Sequence, residues 1–334
     1  MSTAAIMRIP VISNIALLSE KVRAALAALP SSAIENLRIE IVPVSTSALT
    51  GPDAVDVATL ELLRDAQVIL GDPKHVLPAL PYALNVKWVQ STFAGVEAVL
   101  TQPRRDFTLT RAGGIMGLHM AQYVLGWVIS KERKFHLAPL HQANHEFRSH
   151  DMRYRHYHDV TVGILGLGDI GSSIASLVST AGFRVIGLKR SSSQPATTVP
   201  TTTDLHELLA QVDYVVNVLP STIDTRDLLS RDTFQACHIK KPCFINVGRG
   251  DVVDEASLVT ALDQGWLSSA VLDVFAIEPL PHESALWSHK HVTITPHVAA
   301  LSMPEDVAGV FARNLSHFHA STPLEYVFQW SRGY

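Results

Sequence analysis

The sequence predicts an α/β protein of two doubly wound domains, one inserted into the other, and three observations carry that reading. Short β-rich segments alternate with helix-like ones along nearly the whole chain. The apolar run Thr161-Val162-Gly163-Ile164-Leu165 leads into Gly166-Leu167-Gly168-Asp169-Ile170-Gly171, a G-x-G-x-x-G turn followed by a helix-like segment and a second strand. That turn begins near the middle of the 334 residues, so α/β structure is already under way before it is reached.

Taken in order, residues 9–15 read as a strand and residues 17–28 as a helix stopped by Pro30. Residues 37–42, 66–70 and 86–90 read as further strands, the last followed by Ser91-Thr92-Phe93-Ala94-Gly95-Val96. Residues 117–131 form a long, mostly apolar helix, and a polar, His-rich stretch runs on to His158. After the glycine turn, strands are expected at 184–188, 214–219, 243–247, 270–274 and 292–295. Helices are expected at 205–211, near 228–237 and at 255–264. This spacing implies a parallel sheet, with ligands bound outside the carboxyl ends of its strands. Residues 303–319 are helix-like again and lie beyond a sheet that already looks complete. The expected division is therefore a dinucleotide-binding Rossmann domain at 114–302, inserted into a domain built from 1–113 and 303–334. Residues 191–203, rich in Ser and Thr, read as a surface loop.

Composition narrows the function classes. Hydrophobic residues make up 47% and charged residues 17%, enough apolar material for a sizeable core and against disorder. A net charge of −4 gives no reason to expect nucleic acid as a partner. No apolar run reaches the roughly 20 residues that span a bilayer. Pro10 and Glu20 make the N-terminus read as a strand and helix, not a signal peptide. Cys237 and Cys243 lie in or near apolar segments and read as buried thiols of a reducing compartment, with the cytoplasm as the default location.

Each glycine of the turn has a physical task. Gly166 allows the tight bend, Gly168 lets the backbone approach a pyrophosphate, and Gly171 lets helix and strand pack closely. Asp169 and Ile170 open the helix whose N–H groups would face the anion. The second strand ends in Lys189-Arg190-Ser191, where an acid would bind the ribose 2′-hydroxyl of NAD. Two cations there attract a 2′-phosphate, so NADP(H) is expected as the preferred cofactor, with NAD(H) left open.

Three later strand ends carry ionisable groups. Asn246-Val247-Gly248-Arg249-Gly250 places a guanidinium at the sheet edge, suited to a two-pronged grip on a carboxylate. Leu272-Asp273-Val274-Phe275-Ala276-Ile277-Glu278-Pro279 brings two acids. Asp273 needs hydrogen-bond partners, either a nicotinamide amide or nearby backbone. Thr295-Pro296-His297-Val298-Ala299-Ala300 ends a strand on a histidine, the side chain best suited to move a proton near neutral pH.

These four blocks, in this order, resemble the signature blocks of the D-isomer-specific 2-hydroxyacid dehydrogenases, with similarity from about Val86 onward. Lys189-Arg190, the run from His291 to Ala300 and the ending Arg332-Gly333-Tyr334 resemble the glyoxylate/hydroxypyruvate reductase A branch of that family. The resemblance implies NADP(H)-dependent reduction of a small 2-oxo acid on a Rossmann domain inserted into a flavodoxin-like substrate domain, in a homodimer. It implies that Arg249 binds the substrate carboxylate and reacting carbonyl, that His297 is the general acid, and that Glu278 is paired to it. It assigns Asp273 to the nicotinamide amide, and Leu219 and Pro220 to the adenine side. Thr225 falls near the nicotinamide ribose, and Val247, Gly248 and Ala299 join the cofactor contacts. Ala94, Gly95 and Val96 match a loop whose N–H groups face the substrate. Two departures stand out: Phe93, where glycine is common, and Gln122, where the interdomain helix often carries glutamate.

Other features read as structural. His141 and His145, four apart and near His156 and His158, could share a helix face as metal ligands do, but the segment is polar throughout and a solvated face is the reading taken. No metal is expected. Trp88, Trp127, Trp266 and Trp287 read as packing residues. The rival functions are a sister dehydrogenase with another substrate and a dinucleotide-sensing binding protein of the corepressor type with little turnover.

Overall fold

Two parallel sheets emerge from the alternation, in a computed structural model that describes residues 6–35, 37–50, 55–191 and 198–330. The chain divides into two units, Met1–Met116 with Ser302–Tyr334, and Gly117–Leu301. The terminal cue Arg332-Gly333-Tyr334 lies outside the described residues.

The first unit holds β1 (Ile6–Ile12), β2 (Arg38–Pro43), β3 (Val68–Gly71), β4 (Trp88–Ser91) and β5 (Thr108–Thr110). They pair in parallel in the order β2-β1-β3-β4-β5. This is the flavodoxin-like order, with its topological switch point between β1 and β3. Strand β3 is buried along its whole length, as expected where both faces of a parallel sheet are covered. Helix Pro304–His319 covers one face: Val307, Phe311 and Leu315 join Val22 and Leu26 of helix Leu18–Ala27 in one core. Proline at its first position and Glu305 and Asp306 in its first turn suit a helix start. Trp88 stacks on Phe311 at 5.3 Å, and its indole N–H donates to Thr110 Oγ1 at 2.7 Å.

The second unit holds β6 (Thr161–Leu165), β7 (Arg184–Leu188), β8 (Thr201–Thr202), β9 (Tyr214–Asn217), β10 (Cys243–Asn246), β11 (Ser269–Leu272) and β12 (Val292–Ile294). Their order is β12-β11-β10-β9-β6-β7-β8, parallel throughout. The order reverses between β6 and β9, so the glycine turn after β6 stands at the switch point of a Rossmann sheet. Helix Asp169–Thr180 buries Ile174, Ala175 and Val178 in the same core as Met120, Ala121 and Val124 of helix Gly117–Glu132. At the opposite sheet edge, Arg155 bridges Glu132 and Asp213, and the Asp213 carboxylate accepts the Thr161 N–H at 2.8 Å.

Several local expectations change. The stretch 191–203 is not loop throughout, because Thr201–Thr202 add an edge strand to β7. Strand β5 carried too short an apolar run to be read in advance. Trp287 is not a packing residue: it is 53% exposed, with its indole N–H donating to the Pro281 carbonyl. Helix Ala138–Ala143 ends before His145, which has φ 55°, so His141 and His145 share no helix face. His141 lies instead beside Glu146 and Asp151.

Candidate active site

Arg249, Asp273, Glu278 and His297 all belong to the second unit, and its local packing explains their placement. At the first turn, Gly166 has φ +98°, a conformation that favours glycine. A Cβ on Gly171 would collide with the Gly166 carbonyl oxygen, so the third glycine sets the closeness of helix and turn. A Cβ on Gly168 would meet no protein atom within 4 Å. The residue caps helix Asp169–Thr180 without a side-chain hydrogen bond, while Ser172 and Ser173 bond back to the carbonyls of Leu167 and Asp169. Open space before a helix N-terminus is the shape that a dinucleotide pyrophosphate fits. Lys189, Arg190 and Ser191 follow directly on β7, with the Lys189 N–H tied to the Thr202 carbonyl.

The second glycine pair works differently. A Cβ on Gly248 would lie 2.7 Å from the Leu219 carbonyl oxygen, and one on Gly250 would collide with the backbone of Phe275 and Ala276. The loop after β10 is thus pressed between the loops after β9 and β11, and Arg249 stands between the two glycines. Below it, Asn217 and Asn246 pair through Nδ2–H···Oδ1 at 2.9 Å, both fully buried at the ends of β9 and β10. Asn246 reaches the Arg249 carbonyl, and Asn217 accepts the Leu219 N–H. Asn217 went unnoticed in the sequence, since only its pairing across the sheet gives it a role. Pro220 and Thr225 lie in the same segment after β9 as Leu219, where the buried Thr225 hydroxyl donates to the Pro220 carbonyl at 2.6 Å.

Asp273 is 1% exposed, and its partners are internal. Its carboxylate accepts from Thr295 Oγ1 at 2.5 Å and from the N–H groups of Val298 and Ala299 at 2.9 Å each. Its carbonyl accepts the His297 N–H. The acid thus holds the backbone that follows His297 and the Thr295 side chain that precedes it, and His297 itself has φ 55°. Of the two roles read for Asp273, the structure displays the backbone one. Tyr123 extends the chain of contacts, its hydroxyl 2.6 Å from Thr295 Oγ1.

His297 Nδ1 lies 2.8 Å from Glu278 Oε2. A carboxylate only accepts, so Nδ1 carries the proton of this bond. The other Glu278 oxygen accepts the Phe275 N–H at 2.9 Å, and the Glu278-Pro279 bond is cis. Hydrogen bonding to Glu278 holds the His297 pKa above its ordinary value; the charges of Glu278 and Asp273 add to this, against burial and the Arg249 charge. Burial pushes Glu278 upward, but bonds from His297 and the Phe275 N–H, with the charges of His297 and Arg249, outweigh it and hold the acid below its usual range. Each partner therefore favours the charged form of the other, with a guanidinium near enough to influence both. Among the described residues, no group of three or more His, Cys, Asp or Glu is placed to hold a metal ion. Cys237 and Cys243 are buried free thiols, and burial pushes Cys237 up to about 12.

In the first unit, Ala94, Gly95 and Val96 join β4 to the short helix Glu97–Leu100. Phe93 is 40% exposed and its backbone is pinned on both sides by Ser91 Oγ. Gln122 is exposed on helix Gly117–Glu132.

Comparison with known proteins gives this geometry a setting. Residues 125–299 match the D-isomer specific 2-hydroxyacid dehydrogenase NAD binding domain. Glyoxylate/hydroxypyruvate reductase A of Serratia proteamaculans is 34% identical over 243 residues, covering 69% of this chain and 76% of the relative. The crystal structure of a D-isomer specific 2-hydroxyacid dehydrogenase family protein from Aeromonas salmonicida superposes with a TM-score of 0.82 at 35% identity, covering 98% of this chain and all of that one. An NADPH-dependent glyoxylate/hydroxypyruvate reductase from Sinorhizobium meliloti, solved with NADP and sulfate, gives a TM-score of 0.79 at 30% identity, covering 98% and 100%.

Proposed function

Because the chain belongs to the D-isomer-specific 2-hydroxyacid dehydrogenase family, oxidoreductases acting on CH–OH donors, we propose that it reduces a small 2-oxo acid of the glyoxylate or hydroxypyruvate class to the D-2-hydroxy acid with NADPH. The observation that carries this reading is the His297–Glu278 pair at 2.8 Å, with the charge of Arg249 acting on both.

When bound, the nicotinamide supplies the hydride that goes to C2 of the substrate. Gly166, Gly168, Asp169, Ile170 and Gly171 would hold the pyrophosphate, and Lys189, Arg190 and Ser191 the 2′-phosphate. Leu219, Pro220, Thr225, Val247, Gly248, Asp273 and Ala299 complete the proposed contacts. Arg249 binds the carboxylate and stabilises negative charge growing on the carbonyl oxygen. His297 gives that oxygen the Nε2 proton, and the product is a neutral hydroxyl. Glu278 keeps the imidazole charged and oriented until the transfer. Ala94, Gly95 and Val96 hold the substrate carboxylate through backbone N–H groups, and Phe93 shapes the choice of side chain. The Sinorhizobium relative binds NADP, which supports the reading of Lys189-Arg190. The exposed Leu118, Phe135, Leu140 and Phe147 support a homodimer through the segment after Gly117. The buried free thiols support a cytoplasmic location, and no described helix is long and apolar enough to cross a membrane.

The test is dinucleotide oxidation with glyoxylate, hydroxypyruvate and a phenyl-substituted 2-oxo acid, with NADPH and NADH in parallel. Turnover with a higher kcat/KM for NADPH is expected. A higher value with NADH overturns the cofactor assignment. Tight dinucleotide binding without turnover of any 2-oxo acid overturns the enzymatic reading in favour of a sensing protein.

A further inference from the structure

A second buried acid lies in the first unit and has been given no role above. Asp72 follows β3 directly and is 3% exposed. Its Oδ1 accepts the hydroxyls of Ser13 at 2.6 Å and Thr92 at 2.5 Å. Its Oδ2 accepts the Asn14 N–H at 3.0 Å and lies 3.2 Å from His75 Nδ1. Two carboxylate oxygens offer about four acceptor positions, and four donors occupy them. Ser13 and Asn14 follow β1, and Thr92 follows β4. One carboxylate therefore ties together the carboxyl ends of three adjacent strands, across the switch point between β1 and β3.

A charge is an expensive clamp, since burying it is costly unless it is well bonded. Its location gives it a use. Thr92 is fully buried, its N–H bonds the Gly71 carbonyl, and its own carbonyl accepts the Ser302 hydroxyl at 2.7 Å. The residues that follow are Phe93, Ala94, Gly95 and Val96. Thr92 is the last side chain of that segment fastened into the sheet edge before the loop begins.

We infer that Asp72 is a positioning residue for the substrate: its buried carboxylate fixes Thr92 and thereby the backbone N–H groups of Ala94, Gly95 and Val96 that receive the substrate carboxylate. The inference rests on the substrate role proposed for that loop. Asp72 touches no reacting atom, so its loss weakens substrate binding without slowing the chemical step.

Steady-state kinetics on the full chain, at saturating NADPH and well below the melting temperature, provide the test. Thr92→Val removes the loop's bond to Asp72 and leaves the acid its other three donors. It is expected to raise KM for the 2-oxo acid about tenfold, with kcat and the NADPH KM within about twofold of the parent. Thr92→Ser restores the hydroxyl and should restore KM. Asp72→Asn should follow Thr92→Val, and where it fails to fold the two Thr92 variants carry the test. An unchanged KM in Thr92→Val, even with a lowered Tm, overturns the inference and leaves Asp72 as a fold anchor. Ala94→Pro, which deletes one loop N–H, separates the two levels. A raised KM there beside an unchanged KM in Thr92→Val sinks only the Asp72 inference. An unchanged KM in Ala94→Pro sinks the substrate role of the loop itself.

Discussion

Two glycine turns at the same sheet edge do opposite work. After β6, Gly168 leaves open space, and no protein atom would meet an added Cβ. After β10, Gly248 and Gly250 leave none, because the loops after β9 and β11 lie against them. The first turn leaves Gly168 facing open space. The second lets three segments of protein close up, with Arg249 between the two glycines and its charge felt by Glu278 and His297. A glycine in a functional motif thus says that backbone must come close, and only the fold says to what.

Removing the acid that this closed edge supports gives the largest expected effect. His297→Ala should lower kcat by about 10²–10⁴-fold in the reductive direction while leaving NADPH affinity largely intact. Parallel losses of kcat and dinucleotide affinity would mean that open and closed turns are not separable in function. Next in size is Gly250→Ala. The new methyl would collide with backbone at Phe275 and Ala276, so destabilisation of about 1–3 kcal/mol is expected from overpacking, with lost activity and readable by denaturant unfolding. Gly168→Ala is the counterpart. Its backbone, φ −76° and ψ −159°, suits any residue, so stability should stay within about 0.5 kcal/mol. The NADPH KM should rise about tenfold, because the methyl intrudes where a pyrophosphate must approach. If Gly168→Ala unfolded the protein and Gly250→Ala did not, the contrast between the turns would be wrong.

The same contrast explains what could be read beforehand. The parallel sheets, and the strands that end in Gly166, Arg249 and His297, were legible because each is written locally, in an apolar run followed by a turn. The closeness of Glu278 to His297 was reached by combining strand ends with the family resemblance. The fastening was not legible. Asn217 and Asn246 are 29 positions apart and meet only when β9 pairs with β10. Thr295 bonds Asp273, 22 positions before it, and Tyr123, 172 positions before it. Asp72 carries no local signal, since its partners Ser13 and Thr92 follow different strands. No periodicity encodes such pairs. Asp273 could be read two ways because an acid at a strand end needs partners, and sequence does not say whether they come from ligand or backbone.

The smallest expected effect lies along the pH axis and tests the closed edge alone. His297 has its pKa raised above the ordinary 6.5, chiefly by its bond to Glu278. Its imidazolium therefore persists through 6.5 and is lost as pH rises through the elevated value. In the proposed mechanism reduction uses that proton, so kcat/KM for the 2-oxo acid should stay level past 6.5 and fall at higher pH; oxidation of the 2-hydroxy acid would use the neutral ring and should rise over the same interval. Glu278→Gln removes the charge, and the descending limb should move to lower pH. Stability has matching signs. The His297 contribution is fully present below 6.5 and is lost as pH rises through the elevated value. Glu278, depressed below 4.5, contributes above 4.5 and loses its contribution as pH falls through the lowered value. The pair thus supports the fold most between those limits, and only modestly, because the His297 side chain is 55% exposed. A pH–rate profile of Glu278→Gln that overlaid the parent's would show that Glu278 does not set the protonation of His297. The 2.8 Å contact would then orient the ring without tuning it.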